Sequence, residues 1–285
     1  MNKSEMKRAV GVILLLGLTM GLLLPSLSIQ VDQRMVMGNG PGGGGGGGKP
    51  EPPPAEIVYY TDSPEDKWAV IIGITDYDGR SSDLMNPHND ALEMKQILEA
   101  YGYNYALALD GAATSDNFGV LMDWLIANEG PNSEVVFFYS GHGSRTQDGS
   151  WDSDTETDGY DECLVSWDLY AITDAYMSSK FAELESSKFS AIYCSCHSGG
   201  MFDQTYEVRS GGVYIAAAEA DQYGWDYGEL QNTLFFYYFG DQGILNGPYD
   251  NVQDAFWYAR PLVIAEQPDS CPTMLDNLGA PFYVK

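Results

Sequence analysis

The sequence has 285 residues, of which 14 are Lys or Arg and 41 are Asp or Glu, so the formal net charge is −27. This charge excludes ordinary nucleic-acid binding, which needs a cationic surface. The contents of 44% hydrophobic and 13% aromatic residues are too high for a disordered acidic tail. The four cysteines are too few for a disulfide scaffold. The length favours one sizeable folded domain.

The N-terminus has the layout of a secretory signal. Basic residues precede an apolar run over 9–24, which is followed by Pro25 and by the small residues Ser26 and Ser28. This layout predicts a signal peptide over residues 1–28 and an exported protein, secreted or held at the outer face of the cell membrane. Because the apolar run approaches the length of a bilayer span, retention as an N-terminal membrane anchor is the alternative.

Residues 29–56 are rich in glycine and proline. Glycine occupies every position from 42 to 48, and prolines follow at 50 and at 52–54. Such a segment has almost nothing to bury and predicts a flexible linker. We therefore expect the folded domain over residues 57–285.

From Trp68 onward, short apolar runs alternate with segments of helical periodicity. This alternation is typical of an α/β domain with a mostly parallel sheet of about six strands and helices on both faces. The predicted strands are 68–74, 106–109, 134–140, 163–167, 189–195 and 213–218.

Helix start and stop residues divide the segments between these strands. One helix is expected from about Asn89 to Gly102, one from the cap residue Ser115 to Gly130, and one from Thr173. Two more are expected near 234–239 and 251–259, with Pro261 ending the last.

Two predicted strands end in chemically unusual residues. The strand over 134–140 leads into His142 between two glycines, and the strand over 189–195 leads into Cys196. Functional groups collect at the carboxyl ends of parallel strands, so these side chains are expected to meet. An imidazole or a helix N-terminus can stabilise a thiolate. The pattern predicts a nucleophilic Cys196 with a lowered pKa beside His142.

Several motifs resemble the caspase-like cysteine peptidases, and among them the metacaspase-type branch. The resemblance covers about residues 66–285 and implies a caspase-like three-layer sandwich that cleaves peptide or protein substrates. The motifs are YSGHG at 139–143, CSCHSGG at 194–200, DGYDECLVSWD at 158–168, WAVIIGITDY at 68–77 and NPHNDA at 86–91.

The resemblance assigns catalytic roles residue by residue. It implies that Cys196 is the nucleophile, that His142 is the general acid and base, and that the N–H groups of Gly143 and Cys196 form the oxyanion hole. No cofactor is required for this chemistry. Cys194 is expected to point the same way as Cys196 but to lie deeper, and His88 receives no role.

The resemblance also implies a pocket for the substrate residue before the scissile bond. Asp90 and Ser140 are its expected lining, with a preference for Arg or Lys. Here the sequence departs from the family, because Cys194 stands where a second pocket acid is expected. Asp90 could instead cap its own helix, and the pocket could instead select Asn or Asp.

Acidic residues are dense after His142. Their spacing is typical of a calcium site, although the EF-hand pattern is not met, and a solvated charge run is the alternative. The resemblance implies calcium at Asp158, Asp174 and Asp203, with Thr173 where another acid is expected. Zinc is disfavoured because the Cys and His residues offer only one ligand pair. The acids are Asp148, Asp152, Asp154, Glu156, Asp158, Asp161 and Glu162.

Two other functional classes stay open at this point. The domain could be a catalytically silent binding module with the same fold, or an acidic calcium-binding surface protein. The sequence defines no oligomeric state.

Overall fold

A computed structural model describes residues 55–152, 155–204 and 207–285. The expected signal peptide or anchor, and the linker up to residue 54, lie outside the described residues. Within the described part of the chain, no helix has the length and hydropathy needed to cross a membrane.

The main sheet has seven strands in the order β1-β3-β2-β4-β8-β9-β10. Its five inner strands are parallel, whereas β1 and β10 pair antiparallel at the two edges. The strands are β1 Val58–Tyr60, β2 Lys67–Gly73, β3 Asn104–Leu109, β4 Glu134–Ser140, β8 Lys188–Cys194, β9 Gly212–Ala216 and β10 Thr273–Asp276.

Helices cover both faces of this sheet, which is why the inner strands are apolar along almost their whole length. The core residues of α2 and α3 join one buried cluster, and those of α1, α4 and α5 join the other. The helices are α1 Pro87–Ala100, α2 Ser115–Asn128, α3 Asp174–Ala182, α4, which is α-helical over Leu234–Phe236 and π-helical over Tyr237–Leu245, and α5 Val252–Glu266.

A second, antiparallel sheet of three strands follows β4 directly. It consists of β5 Gly143–Gln147, β6 Tyr160–Val165 and β7 Ala171–Thr173. The predicted strand 163–167 overlaps β6 and so belongs to this small sheet, not to the main one. Its apolar residues gave no sign of which sheet it would join.

Three helix boundaries differ from the predictions. Helix α1 begins earlier, with Pro87 at its first position, where the missing N–H of proline is harmless. Helix α2 is capped by Thr114, whose hydroxyl accepts from the Asn117 N–H, and not by Ser115. Pro261 lies inside α5 rather than ending it.

Candidate active site

The two catalytic candidates lie just beyond neighbouring strands. Ser140 at the end of β4 is paired with Cys194 at the end of β8, and the Gly141 N–H donates to the Cys194 carbonyl at 3.3 Å. His142 and Cys196 each follow two residues after this matched pair. The parallel register therefore brings the predicted base and nucleophile to adjacent positions at one edge of the sheet.

Neither glycine beside His142 leaves room for a side chain. A Cβ on Gly143 would lie 2.0 Å from the Cys196 carbonyl oxygen, and a Cβ on Gly141 would lie 2.6 Å from the Tyr139 hydroxyl. No larger residue fits either position without displacing its neighbours. The close approach also makes the two residues of the expected oxyanion hole, Gly143 and Cys196, direct neighbours.

The imidazole of His142 is held by groups from another part of the chain. Its Nε2 lies 2.7 Å from the Ser82 carbonyl oxygen, and its ring centroid is 4.6 Å from that of Tyr77. The backbone of His142 is fixed as well, because its N–H donates to the Tyr77 hydroxyl and its carbonyl accepts from Tyr139. Ser82 and Tyr77 therefore hold the predicted base in place, a role that nothing in their local sequence had indicated.

These contacts determine which nitrogen carries the proton. A carbonyl oxygen can only accept, so Nε2 of His142 is the protonated nitrogen and Nδ1 carries the lone pair. The buried Nδ1 has no hydrogen-bond partner among the described residues. Burial lowers the pKa of His142 to about 4. His142 is thus a neutral imidazole with one nitrogen free to accept a proton.

Cys196 is a protonated thiol in this structure. Its side chain is 2% exposed, and its Sγ–H donates to the Gly224 carbonyl at 3.6 Å. Burial raises the pKa of Cys196 to about 12. The expected lowering of the thiol pKa is therefore wrong for this arrangement, because burial in an apolar setting penalises the thiolate.

The other cysteine of the motif has a different environment. Cys194 packs in the buried cluster on the α1 face of the sheet, whereas Cys196 belongs to the cluster on the α2 face. The expectation that both point the same way is wrong, because regular strand alternation ends at Cys194. The backbone then turns through His197, whose φ is +56°. All four cysteines are free thiols.

The two predicted pocket residues are in direct contact. Asp90 is fully buried and accepts from the Ser140 hydroxyl at 2.7 Å. Its carboxylate also accepts from the Thr233 hydroxyl and N–H and from the Asn232 amide, and burial raises its pKa. Since these described donors all lie outside α1, Asp90 does not cap its own helix.

A narrow crevice lies next to residues that contact this carboxylate and the Cys196 thiol, and it has no room for a water molecule. Cys194, Gly224, Trp225 and Thr233 line it, so the predicted position of the missing pocket acid faces the same space.

The three acids expected to bind calcium surround a fourth. Asp174 is fully buried and accepts from the backbone N–H of Glu162 at 3.0 Å. The pKa of Glu162 rises to about 10 because of burial and the nearby charges of Asp158, Asp174 and Asp203. Both carboxylate oxygens of Glu162 are buried and have no hydrogen-bond partner within the described chain. The sequence analysis had not singled out Glu162 from its acidic neighbours.

One acid of the loop has a purely structural role. Asp161 accepts from three consecutive backbone N–H groups, those of residues 149–151, and so holds the turn between β5 and β6. The acidic run is therefore not one uniformly solvated surface.

Comparison with known proteins identifies this arrangement. The model of the family described as Caspase domain matches residues 66–283. The chain belongs to the caspase domain family. This result confirms the resemblance drawn from the two strand-end motifs.

Curated relatives of this caspase domain are metacaspases. The chain is 32% identical over 173 residues to Metacaspase-1 of Candida albicans, a match that covers 54% of this chain and 38% of that protein. It is 34% identical over 160 residues to Metacaspase-1 of Schizosaccharomyces pombe, and this match covers 51% of this chain and 37% of that protein. The metacaspase-type branch is thereby confirmed, although the matches span well under half of these longer proteins.

Solved structures support the fold. A crystal structure of a Geobacter sulfurreducens protein has a TM-score of 0.57 at 17% identity, and the match covers 74% of this chain and 93% of that one. The caspase-like α/β sandwich predicted from the sequence is confirmed.

Proposed function

We propose that this caspase domain is a cysteine endopeptidase that uses a dyad of Cys196 and His142 and cleaves after Arg or Lys. One observation carries the proposal: the base and the nucleophile follow neighbouring parallel strands in register, with Ser140 opposite Cys194. Nucleophile and base must lie within reach of each other for acyl transfer.

The residues supply each step of peptide hydrolysis. The Cys196 thiol gives its proton to Nδ1 of His142 as the sulfur attacks the peptide carbonyl. The backbone N–H groups of Gly143 and Cys196 stabilise the oxyanion. His142 then protonates the leaving amine, and later takes a proton from the water that hydrolyses the thioester. The Ser82 carbonyl keeps the imidazole in the tautomer that these proton transfers need.

The chain must leave its resting arrangement before this reaction starts. Cys196 is 2% exposed and His142 is 1% exposed, and the Cys196 thiol donates a hydrogen bond to the Gly224 carbonyl. A substrate carbonyl can reach the sulfur only after the segment around Gly224 moves away. Its departure also admits water, which lowers the desolvation penalty on the thiolate.

The proposed preference for Arg or Lys depends on Asp90. Ser140 and Thr233 hold this carboxylate in place, and Thr233 also lines the crevice that reaches Gly224, the hydrogen-bond partner of Cys196. A single acid attracts a cationic side chain less strongly than two, and Cys194 does not supply the second. We therefore expect a weaker preference for Arg over neutral residues than a pocket with two acids would give.

Calcium is the proposed regulatory ion, held by Asp158, Asp174 and Asp203. The three acids offer only oxygen donors, which suits a hard cation, and their charges raise the pKa of buried Glu162 beside them. When bound, calcium supplies the positive charge that offsets this group of acids. A Cβ on Gly200 would come within 2.3 Å of the Glu162 carboxylate carbon, so Glu162 packs directly on the turn that follows Cys196.

We also propose that the protein is exported, on the basis of the expected signal peptide over residues 1–28. The basic start and the apolar run over 9–24 support it, and residues 29–56 would then tether the peptidase away from the membrane or form a loose arm. Expression of the full chain with N-terminal sequencing of the product would test this. A product that starts at residue 1 and stays in the cytoplasm contradicts export.

A panel of fluorogenic peptides tests the peptidase proposal. The peptides differ only in the residue before the scissile bond, with Arg, Lys, Asn, Asp and Gln compared in calcium and in chelator. We expect cleavage after Arg and Lys and faster turnover in calcium. Cleavage after Asn or Asp alone would contradict the basic preference but keep the enzyme.

The closed resting site also fits a silent binding module, the second candidate function. A peptide carrying a thiol-directed electrophile separates the two, because a working dyad forms a covalent bond to Cys196. Capture at Cys196, located by mass spectrometry, supports the peptidase. No capture and no cleavage in either calcium or chelator favours the binding module.

A further inference from the structure

Three buried carboxylates from distant segments converge at one point. Glu156 precedes β6, Asp174 is the first residue of α3, and Glu207 follows the turn after the nucleophile. They are 5%, 0% and 2% exposed, and one carboxylate oxygen of each lies within 4.8 Å of the others. We refer to these three residues as the Glu207 cluster.

The Glu207 cluster differs from the set that the family resemblance implies. Only Asp174 is common to both, because Asp158 and Asp203 are not part of this group. Glu207 receives no binding role from the motifs or the sequence spacing, and Glu156 is only one member of the acidic run that follows His142.

A second observation points to a ligand. One oxygen of Glu207 accepts from the Gln204 N–H, whereas Oε1 is buried and has no hydrogen-bond partner within the described chain. Among the described residues, no lysine or arginine forms an ion pair with Asp174 or Glu207. A buried carboxylate that leaves one oxygen without a hydrogen-bond donor and has no counter-charge is destabilising unless something else binds it.

The chemistry of the donors indicates which ligand fits. Three carboxylates offer only oxygen atoms, which suit calcium and magnesium, and the lack of nitrogen or sulfur donors in this group disfavours zinc and copper. Calcium accepts six to eight oxygens in a flexible geometry, whereas magnesium demands a near-octahedral shell and keeps several waters, so a group of protein carboxylates favours calcium.

We propose that Glu156, Asp174 and Glu207 form a calcium site of their own, which shares Asp174 with the Asp158 and Asp203 set. The bound ion joins the acidic segment before β6 to the segment after the nucleophile turn. These two segments already meet, because the Thr157 hydroxyl donates to the Gln204 side chain. The site therefore links the acidic loop to the chain that carries Cys196.

Calcium titration of the full chain tests the proposal. The Cys196→Ala background prevents self-cleavage, and isothermal titration calorimetry with CaCl₂ gives affinity and stoichiometry. We expect Glu207→Gln to lose one bound calcium or to weaken one binding step by about tenfold or more. Glu229→Gln removes the same charge from an exposed position and should bind calcium as the parent does. Unchanged stoichiometry and affinity in Glu207→Gln overturns the site.

A second variant keeps the test decisive if Glu207→Gln folds poorly. Glu156→Gln should show the same selective loss, with folding checked by circular dichroism in chelator. If neither variant affects binding while Asp158→Asn abolishes it, only the other set binds calcium and the Glu207 cluster is not a site.

The outcome is separable from the proposed peptidase. Binding is measured in a chain without its nucleophile, so inactivity of the parent on every peptide leaves the calcium result intact. Conversely, peptide cleavage that needs no calcium, together with unaltered binding in Glu207→Gln, retains the peptidase and removes the site.

Discussion

The catalytic edge contains the buried residues His142 and Cys196, and the acidic region contains the buried residues Glu162 and Glu207, yet the polar groups of the two regions are satisfied to different degrees. At the catalytic edge, both side chains are neutral. His142 donates a hydrogen bond to the Ser82 carbonyl, and Cys196 donates one to the Gly224 carbonyl. In the acidic region, Glu162 and Glu207 have buried oxygens without hydrogen-bond partners in the described residues. The first region leaves Nδ1 of His142 without a partner, whereas the second leaves carboxylate oxygens of at least two acids without one.

Removing the nucleophile or the base should give the largest effect. Cys196→Ala or His142→Ala is expected to lower kcat by about a thousandfold or more, because each deletes a group that forms or breaks a bond. Peptide cleavage under saturating substrate measures this. Cys194→Ala is the matched control, since it removes the neighbouring thiol and should keep measurable activity. The reverse pattern would identify Cys194 as the nucleophile.

The close approach of Gly143 to Cys196 gives the second prediction. Gly143→Ala forces the Cys196 carbonyl to move, and such overpacking typically destabilises a protein by about 1 to 3 kcal/mol. Because the nucleophile moves too, kcat should fall by about a hundredfold. Gly130→Ala is the control, as no atom lies within 4 Å of its Cβ position. Equal urea unfolding curves for both variants would contradict the contact.

Glu162 tests the acidic region. Burial and the nearby carboxylates raise its pKa to about 10, so the carboxyl is protonated at pH 7 and Glu162→Gln closely copies its shape. We expect the unfolding temperature in chelator to change by less than about 4 °C, and the rise produced by calcium to become smaller. Differential scanning fluorimetry measures both values, with Glu229→Gln as control. An undiminished calcium response contradicts a role for Glu162.

The smallest effect is expected at His88, which received no role from sequence. Its Nδ1 lies 2.8 Å from Asp110 Oδ2, and this hydrogen bond raises the pKa of His88. The stabilisation is fully present below the unfolded pKa of about 6.5 and disappears as the pH rises through the folded pKa. Both side chains are partly exposed, so His88→Gln should lose roughly 0.5 kcal/mol more at pH 5.5 than at pH 8.5. Urea titrations at the two pH values test this, and equal losses would contradict it.

Much of the catalytic edge was predictable because backbone geometry constrains it. Parallel strands place their carboxyl ends together, so His142 and Cys196 followed from two apolar runs and the residues after them. The helices α2 and α3 were also recognisable from their periodicity, and the start of α3 was located at its cap residue Thr173. These features depend on local sequence alone.

Other features depend on contacts that leave no local signal. The strand 163–167 looked like the rest of the main sheet, and only the register of β5 with β6 shows that it belongs elsewhere. Cys194 and Cys196 diverge because the strand ends between them. Pro261 lies within α5 at an exposed position, between the buried residues Ala259 and Val263 that anchor this helix to the core. Glu207 joins Glu156 and Asp174 only after the chain folds.

The hydrogen bond from His142 to Ser82 shows why part of such a site escapes motif searches. Only the main-chain oxygen of Ser82 is used, so other side chains small enough for this buried position could serve equally well. The amino acid there can therefore change while the orientation of the imidazole is retained. What must be preserved is the path of the chain between β2 and α1, and insertions or deletions there should impair turnover more than substitutions do.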